Sequence, residues 1–257
     1  MNQIILVTDG CSNVGASPVA AAAKAYAEGI IVHVIGITGS EGESGSGWQE
    51  ISDIARAGGG MSRLVVPHQI AGTMQMMTRK TAVHTIRDMV NEELRQIMGP
   101  QTSVEQLHPE RRGQVVEVID RLSESIDLRV ALLIDCSSSM LPKIASVKLA
   151  ARDLMLSLQA RKGVSELAVF RFPDPSGCRE VSLEVPWTQQ LANMRDLFYN
   201  LNMKGTTPTG PALLSVINHM LQYQAGGPRL SEADQWQRGN PSVALPDEGG
   251  MLSDYMV

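Results

Sequence analysis

Long apolar runs, an excess of basic charge and a cysteine framework are all missing from this sequence. None of its apolar runs reaches the ~18 residues of a membrane-spanning helix, so we expect no membrane association. The first residues lack the basic segment and cleavage site of a secretory leader, and we expect none. The 22 Lys and Arg against 27 Asp and Glu give a net charge of −5, which argues against nucleic-acid binding. Three cysteines without framework spacing favour a reducing, cytoplasmic location.

Sequence motifs of the common enzyme classes are missing as well. The five histidines show no paired metal-ligand spacing, and the chain has neither a Gly-x-Ser-x-Gly elbow nor a phosphate loop ending in Gly-Lys-[Ser/Thr]. His33 interrupts an apolar run and is interpreted as a buried, hydrogen-bonded core residue. Cys136 and Cys178 have no flanking signature of a catalytic thiol. These observations favour a binding function over catalysis.

What the chain does contain is a regular alternation of predicted strands and helices. The apolar runs at 3–8 and 30–37 are continuous, which predicts strands buried on both faces of a parallel sheet. Further strands are predicted at 62–66, 129–134, 167–172 and 179–185, and helices at 18–28, 48–57, 144–158, 189–201 and 210–224. This alternation predicts an α/β fold with a doubly wound, mostly parallel central sheet and helices on both faces.

Two segments depart from the alternation. Between residues 68 and 126 the apolar residues fall three or four apart, which predicts helices and no strand. Residues 226–257 combine prolines, glycines and acidic residues without periodicity, which predicts a flexible tail.

Small oxygen-bearing side chains cluster in three loops of the predicted sheet. Asp135, Ser137 and Ser139 follow one strand, Asp9 follows the first strand, and Thr207 precedes the last helix. Binding sites of open α/β sheets lie beyond the carboxyl ends of the strands. Carboxylate and hydroxyl oxygens suit Mg²⁺, which keeps several of its waters. Asp and Ser at strand ends also cap helices, so the Asp-x-Ser-x-Ser element alone fits either role.

Together these residues resemble the von Willebrand factor A (VWA) family and its metal-ion-dependent adhesion site. The family motif is Asp-x-Ser-x-Ser, then a Thr, then an Asp. Asp135, Ser137 and Ser139 match the first element, Thr207 matches the Thr, and Asp9 matches the final Asp in its Thr-Asp-Gly context. The resemblance implies that these five residues hold one Mg²⁺, with Mn²⁺ as a possible substitute.

The two halves of the resemblance occur in exchanged order. Residues 1–98 resemble the back half and residues 128–225 the front half of one VWA-like domain, with 99–127 as a helical connector. A circular permutation would explain the exchange, because domain termini often lie close together. The other explanation is a swapped dimer, in which the front half of each chain pairs with the back half of its partner.

The resemblance also implies a function. It predicts a protein–protein interaction module that binds an acidic residue of a partner through Mg²⁺; bacterial families of this kind often accompany AAA ATPases or kinases. The alternatives are a metal-dependent hydrolase of phosphorylated or acyl substrates and a structural helper without metal. If both aspartates address one ion, Cys11 and Cys136 should lie within roughly 12 Å, and a short bis-maleimide should link their thiols.

Overall fold

In the part of the chain that the structure describes, six strands and six helices largely alternate. The computed structural model describes residues 1–39, 47–174, 179–190, 192 and 206–226. The strands are β1 (Asn2–Thr8), β2 (Ile30–Ile37), β3 (Gly59–Val65), β4 (Leu128–Asp135), β5 (Ser165–Phe172) and β6 (Ser182–Thr188). The helices are α1 (Pro18–Ala27), α2 (Trp48–Ala57), α3 (Ile70–Met98), α4 (Pro109–Ser125), α5 (Ile144–Gln159) and α6 (Thr209–Gln224).

The strands form a single sheet in the order β3-β2-β1-β4-β5-β6. Neighbouring strands are parallel except for β6, which runs antiparallel to β5 at one edge. The structure therefore confirms the predicted α/β class with a mostly parallel, Rossmann-like sheet. Chain order and sheet order differ in one important place, because β4 follows β3 in the sequence but pairs with β1.

The centre of the sheet is built from the two most apolar strands. The side chains of 4–7 in β1 and 130–134 in β4 are completely buried. Such continuous burial is typical of parallel strands that have neighbours on both sides and helices on both faces. In the β1–β4 register Val7 lies opposite Ile134. The residues that follow β1 and β4 therefore leave the sheet side by side at the same edge.

Helices cover both faces of the sheet, as β2 illustrates. Successive side chains of a strand point to opposite faces, so Ile35 and Gly36 face different helices. Ile35 belongs to the same buried cluster as Met74 of α3 and Val147 of α5. On the other face, a Cβ atom added to Gly36 would lie 2.7 Å from the Cδ1 of Ile51 in α2.

The segment between β3 and β4 is helical, as its periodicity predicts. It contains α3 and α4 together with short 3-10 turns, and no strand occurs in this fully described stretch. Ile86, Val104 and Ile119 form a small apolar cluster of their own between the two long helices. The division into domain halves at 1–98 and 128–225, with the connector 99–127, stays a prediction.

Two strand boundaries differ from the predicted ones. The strand predicted at 62–66 begins at Gly59, because glycines that precede the predicted strand form the start of β3. A Cβ atom on Gly60 would lie 2.1 Å from the Val32 carbonyl oxygen, so this close strand approach requires glycine. The strand predicted at 179–185 is displaced to Ser182–Thr188, and it tolerates Pro186 because it is an edge strand.

The chain divides into a compact unit from Met1 to His219 and a second unit from Met220 to Val257. Of the second unit the structure describes 220–226, which include the end of α6. The predicted helix at 189–201 and the predicted tail at 226–257 lie almost entirely outside the described residues. Within the described part of the chain, no helix is both long and apolar enough to cross a membrane.

Candidate metal centre

The two predicted aspartates lie at the ends of neighbouring central strands. Asp135 is the last residue of β4, and Asp9 comes directly after Thr8, the last residue of β1. Because β1 and β4 are parallel partners, their carboxyl ends are close in space although 125 residues lie between Asp9 and Asp135 in the sequence. The sheet topology thus supplies the neighbourhood that the sequence motif requires.

Asp135 is held rigidly in the interior. Its side chain is completely buried, Oδ2 accepts a hydrogen bond from Thr8 Oγ1 at 2.7 Å, and Oδ1 accepts one from the Ser137 backbone nitrogen at 2.8 Å. Burial raises the pKa of this carboxyl, the nearby charge of Asp9 acts in the same direction, and the hydrogen bonds from Ser137 and Thr8 oppose the shift. The orientation of the carboxylate is therefore fixed before any ligand arrives.

A chain of hydroxyl contacts connects this region with Asp9. Ser137 Oγ lies 3.2 Å from Ser139 Oγ, and Ser139 Oγ donates to Asp9 Oδ1 at 2.8 Å. Both serines are presented by the turn at Ser138–Met140, which is anchored by the completely buried Met140 side chain. Four of the five predicted ligands are therefore parts of one contiguous hydrogen-bonded cluster.

Thr207 lies against the loop that follows β1. Its backbone nitrogen donates to Asn13 Oδ1 at 2.8 Å, and its carbonyl oxygen accepts bonds from the Asn13 nitrogen and from Ser12 Oγ. A Cβ atom on Gly210, at the start of α6, would lie 1.8 Å from the Ala16 carbonyl oxygen. These contacts place Thr207, which is 7% exposed, beside the loop that begins with Asp9. They connect Thr207 to the loop that follows Asp9 and leave its membership of the cluster and the role of its hydroxyl as predictions.

Lys143 is a member of the cluster that the sequence patterns did not identify. Its Nζ lies 2.6 Å from Asp9 Oδ2, and the two side chains are only 18% and 2% exposed. Lys143 is the residue directly before α5. A cation at a helix N-terminus opposes the helix dipole, so its presence there could have suggested a nearby anion, but not which one.

Comparison with known proteins places the chain in a family. No protein-family model matches the sequence. The protein YabS of Bacillus subtilis (strain 168), itself described as uncharacterized, is 45% identical over 213 residues, which cover 83% of this chain and 86% of YabS. This chain belongs to the YabS family.

Solved structures that are similar to this YabS-family chain were found as well. A crystal structure of an uncharacterized protein from Alicyclobacillus acidocaldarius is 39% identical, with a TM-score of 0.79 over 88% of this chain and 96% of that one. Proximal thread matrix protein 1 of the mussel byssus, in a form with a zinc-occupied MIDAS motif, aligns with 17% identity over 80% of this chain and 43% of that one. Its TM-score of 0.26 is too low to carry an argument about the YabS family.

The donor chemistry of the cluster fits a hard divalent cation. Asp9 and Asp135 contribute carboxylates, and Ser137, Ser139 and Thr207 carry hydroxyls; all are oxygen ligands of the kind that Mg²⁺ prefers. Among the described residues no group of three His, Cys, Asp or Glu side chains is arranged to hold a metal. A metal site of this YabS-family chain would therefore depend on serine and threonine hydroxyls. The ammonium group of Lys143 on Asp9 shows that positive charge is accommodated here.

The cysteine that follows Asp135 is buried. Cys136 is 2% exposed, and burial raises the pKa of its thiol to about 12. Maleimides react with thiolates at accessible sites, so Cys136 is protected while Cys11 is exposed. Burial of Cys136 argues against the expected native crosslink to Cys11, so the crosslink is a weak test of whether the two halves share a site, and the expected distance between the two cysteines stays a prediction.

Proposed function

We propose that this YabS-family protein is a metal-dependent protein–protein interaction module of the VWA type. It would hold Mg²⁺ or Mn²⁺ through Asp135, Ser137, Ser139, Thr207 and Asp9 and bind an acidic residue of a partner protein. The observation that carries the proposal is the continuous contact from Ser137 through Ser139 to Asp9, beside the buried Asp135 carboxylate. Residues from two distant parts of the chain, matching two elements of one motif, meet at a single point.

The pairing of β1 with β4 supports a permuted domain within one chain. In the VWA family the Asp-x-Ser-x-Ser strand precedes the strand that ends in Thr-Asp-Gly, and here the order is reversed. Two paired parallel strands lie side by side in the sheet whichever of them comes first in the sequence. The reversed order therefore leaves the two strand ends next to each other. Pairing of β1 with β4 fits the permutation, and a swapped dimer would present the same strand pair between two chains. Sedimentation of the purified protein at increasing concentration tests this point, since a permuted domain stays monomeric and a swapped dimer sediments with twice the mass.

The charge of the site favours a carboxylate as the ligand of the partner. When bound, Mg²⁺ would supply a Lewis-acidic position with exchangeable waters. The two carboxylates of the proposed ligand set, Asp9 and Asp135, would just balance a bound Mg²⁺, and the nearby ammonium group of Lys143 adds one positive charge for an incoming anion. An aspartate or glutamate of a partner protein would balance that charge. The resemblance implies an AAA ATPase or a kinase as the partner, and this identity remains a proposal.

Mn²⁺ titration with a matched pair of aspartate variants tests the metal site. Asp135→Asn keeps the shape of the side chain but removes the central carboxylate, so calorimetry should show one site in the wild type and none in this variant. Asp88→Asn is the control, because Asp88 lies on α3 and its side chain is 61% exposed. Equal Mn²⁺ binding by Asp135→Asn and wild type would refute the proposed site.

A second experiment tests the interaction and separates it from hydrolysis. Wild-type bait and Asp135→Asn bait are incubated with an extract of the native cells, and bound protein is eluted with EDTA. A partner that requires both Mg²⁺ and Asp135 supports an interaction module. Metal-dependent turnover of phosphate or acyl esters by the wild type, lost in Asp135→Asn, would support the hydrolase alternative.

A further inference from the structure

Lys143 introduces a cation of the protein itself into the candidate metal centre. Its ammonium group contacts Asp9 Oδ2 at 2.6 Å, while the other oxygen of the same carboxylate accepts the hydrogen bond from Ser139. Both oxygens of Asp9 therefore have partners, although the side chain is only 2% exposed. Lys143 thus provides the charge compensation that a nearly buried carboxylate requires.

The position of Lys143 carries a cost that the ion pair with Asp9 offsets. The residue stands at the N-terminus of α5, where the helix dipole disfavours positive charge. Its ammonium group also gives up much of its hydration at 18% exposure. Lys148 serves as a comparison, because it lies five residues further along α5, about 7.5 Å from Lys143 along the helix axis. The contact with Asp9 is therefore the reason that Lys143 is directed into the cluster.

We infer that Lys143 is a built-in competitor of the divalent cation: it neutralises Asp9 in the metal-free protein and leaves Asp9 when the metal binds. This inference rests on the proposed function, because it assigns a regulation to the same site. Two cations cannot share one oxygen of a nearly buried carboxylate without strong repulsion. A metal ligated through Oδ2 would have to displace the ammonium group, and one ligated through Oδ1 would be repelled by it across the same carboxylate, so in either case the ion pair lowers the affinity for the metal.

Removal of the ammonium group should tighten metal binding. A charge-assisted hydrogen bond of this kind contributes enough that Lys143→Met should bind Mn²⁺ roughly tenfold more tightly than wild type. Lys148→Met removes the same charge from the same helix and should leave the Mn²⁺ affinity nearly unchanged. Lys143→Gln serves as a second variant if Lys143→Met does not fold.

A readout without metal tests the other half of the inference. In EDTA, Lys143→Met should melt at a lower temperature than wild type, because Asp9 loses its counter-ion. The additional substitution Asp9→Asn should recover much of that loss, since no unpaired carboxylate then remains. Addition of Mn²⁺ to Lys143→Met should raise its melting temperature more than that of wild type.

The outcomes distinguish this inference from the proposed function. If wild type and Lys143→Met bind Mn²⁺ with equal affinity, the metal site stands and the competition is refuted. If neither binds Mn²⁺ while both are folded, the proposed function fails, and the competition fails with it. If Lys143→Met binds more tightly and Asp9→Asn restores the melting temperature in EDTA, the inference is supported.

Discussion

His33 should make the stability of the fold depend on pH in a calculable way. The residue lies on β2 and is completely buried. The Met61 backbone nitrogen donates to His33 Nδ1 at 3.0 Å, and His33 Nε2 lies 3.0 Å from Thr81 Oγ1. Because Nδ1 accepts a hydrogen bond, the ring is neutral and carries its proton on Nε2. Burial accordingly lowers the pKa of His33 from 6.5 to about 4.

The sign and the size of the effect follow from this difference. Between the folded pKa of about 4 and the unfolded value of 6.5, the unfolded chain binds more protons, so stability rises with pH. The contribution is fully present above about pH 6.5 and is lost as the pH falls towards about 4. At ~1.36 kcal/mol per pKa unit the full difference is about 3 kcal/mol, of which about 2.5 kcal/mol is lost by about pH 4.5.

Urea denaturation of wild type and two histidine variants at about pH 7 and about pH 4.5 measures this effect. His33→Asn retains an acceptor for the Met61 nitrogen but cannot titrate, so its free energy of unfolding should fall less than that of wild type, by about 2.5 kcal/mol. His84→Gln is the control, since His84 is 75% exposed on α3. Its free energy of unfolding should change between the two pH values by the same amount as that of wild type. An equal change in the free energy of unfolding between the two pH values for wild type and His33→Asn would refute the reasoning.

Further predictions concern close packing and thiol access. Gly210→Ala should lower the free energy of unfolding by about 2 kcal/mol or more, because the new Cβ would meet the Ala16 carbonyl oxygen; urea denaturation measures the loss. Gly72→Ala, in α3 with nothing within 4 Å of the added atom, should raise it by up to about 1 kcal/mol, and a loss there would contradict the packing argument. Peptide mapping after brief maleimide treatment should show Cys11 labelled and Cys136 protected, with denaturant exposing Cys136; rapid native labelling of Cys136 would contradict its burial.

Local patterns in the sequence were sufficient for the elements of the fold. The continuous apolar runs in β1 and β4 already require two covered faces, and this predicts a parallel sheet with helices on either side. His33 could be assigned to the core for a similar reason, since its neighbours in β2 are apolar on both sides, and the structure confirms it. The start of β3 could not be predicted in this way, because the glycines Gly59 and Gly60 are required there by tertiary contacts, such as the close approach of β2 to Gly60, and not by local propensity.

Some contacts of the candidate site follow from the local sequence, and others depend on the tertiary structure. The bond from the Ser137 nitrogen to Asp135 spans two residues, so a local motif is enough to predict it. The neighbourhood of Asp9 and Asp135 depends on which strands pair, and the sequence pointed to it only through a family resemblance. Lys143 went unrecognised because its partner lies 134 positions away and its long side chain can extend in many directions. Strand pairing and side-chain reach depend on the packed chain as a whole, and for that reason only the tertiary structure places the ammonium group of Lys143 at this site.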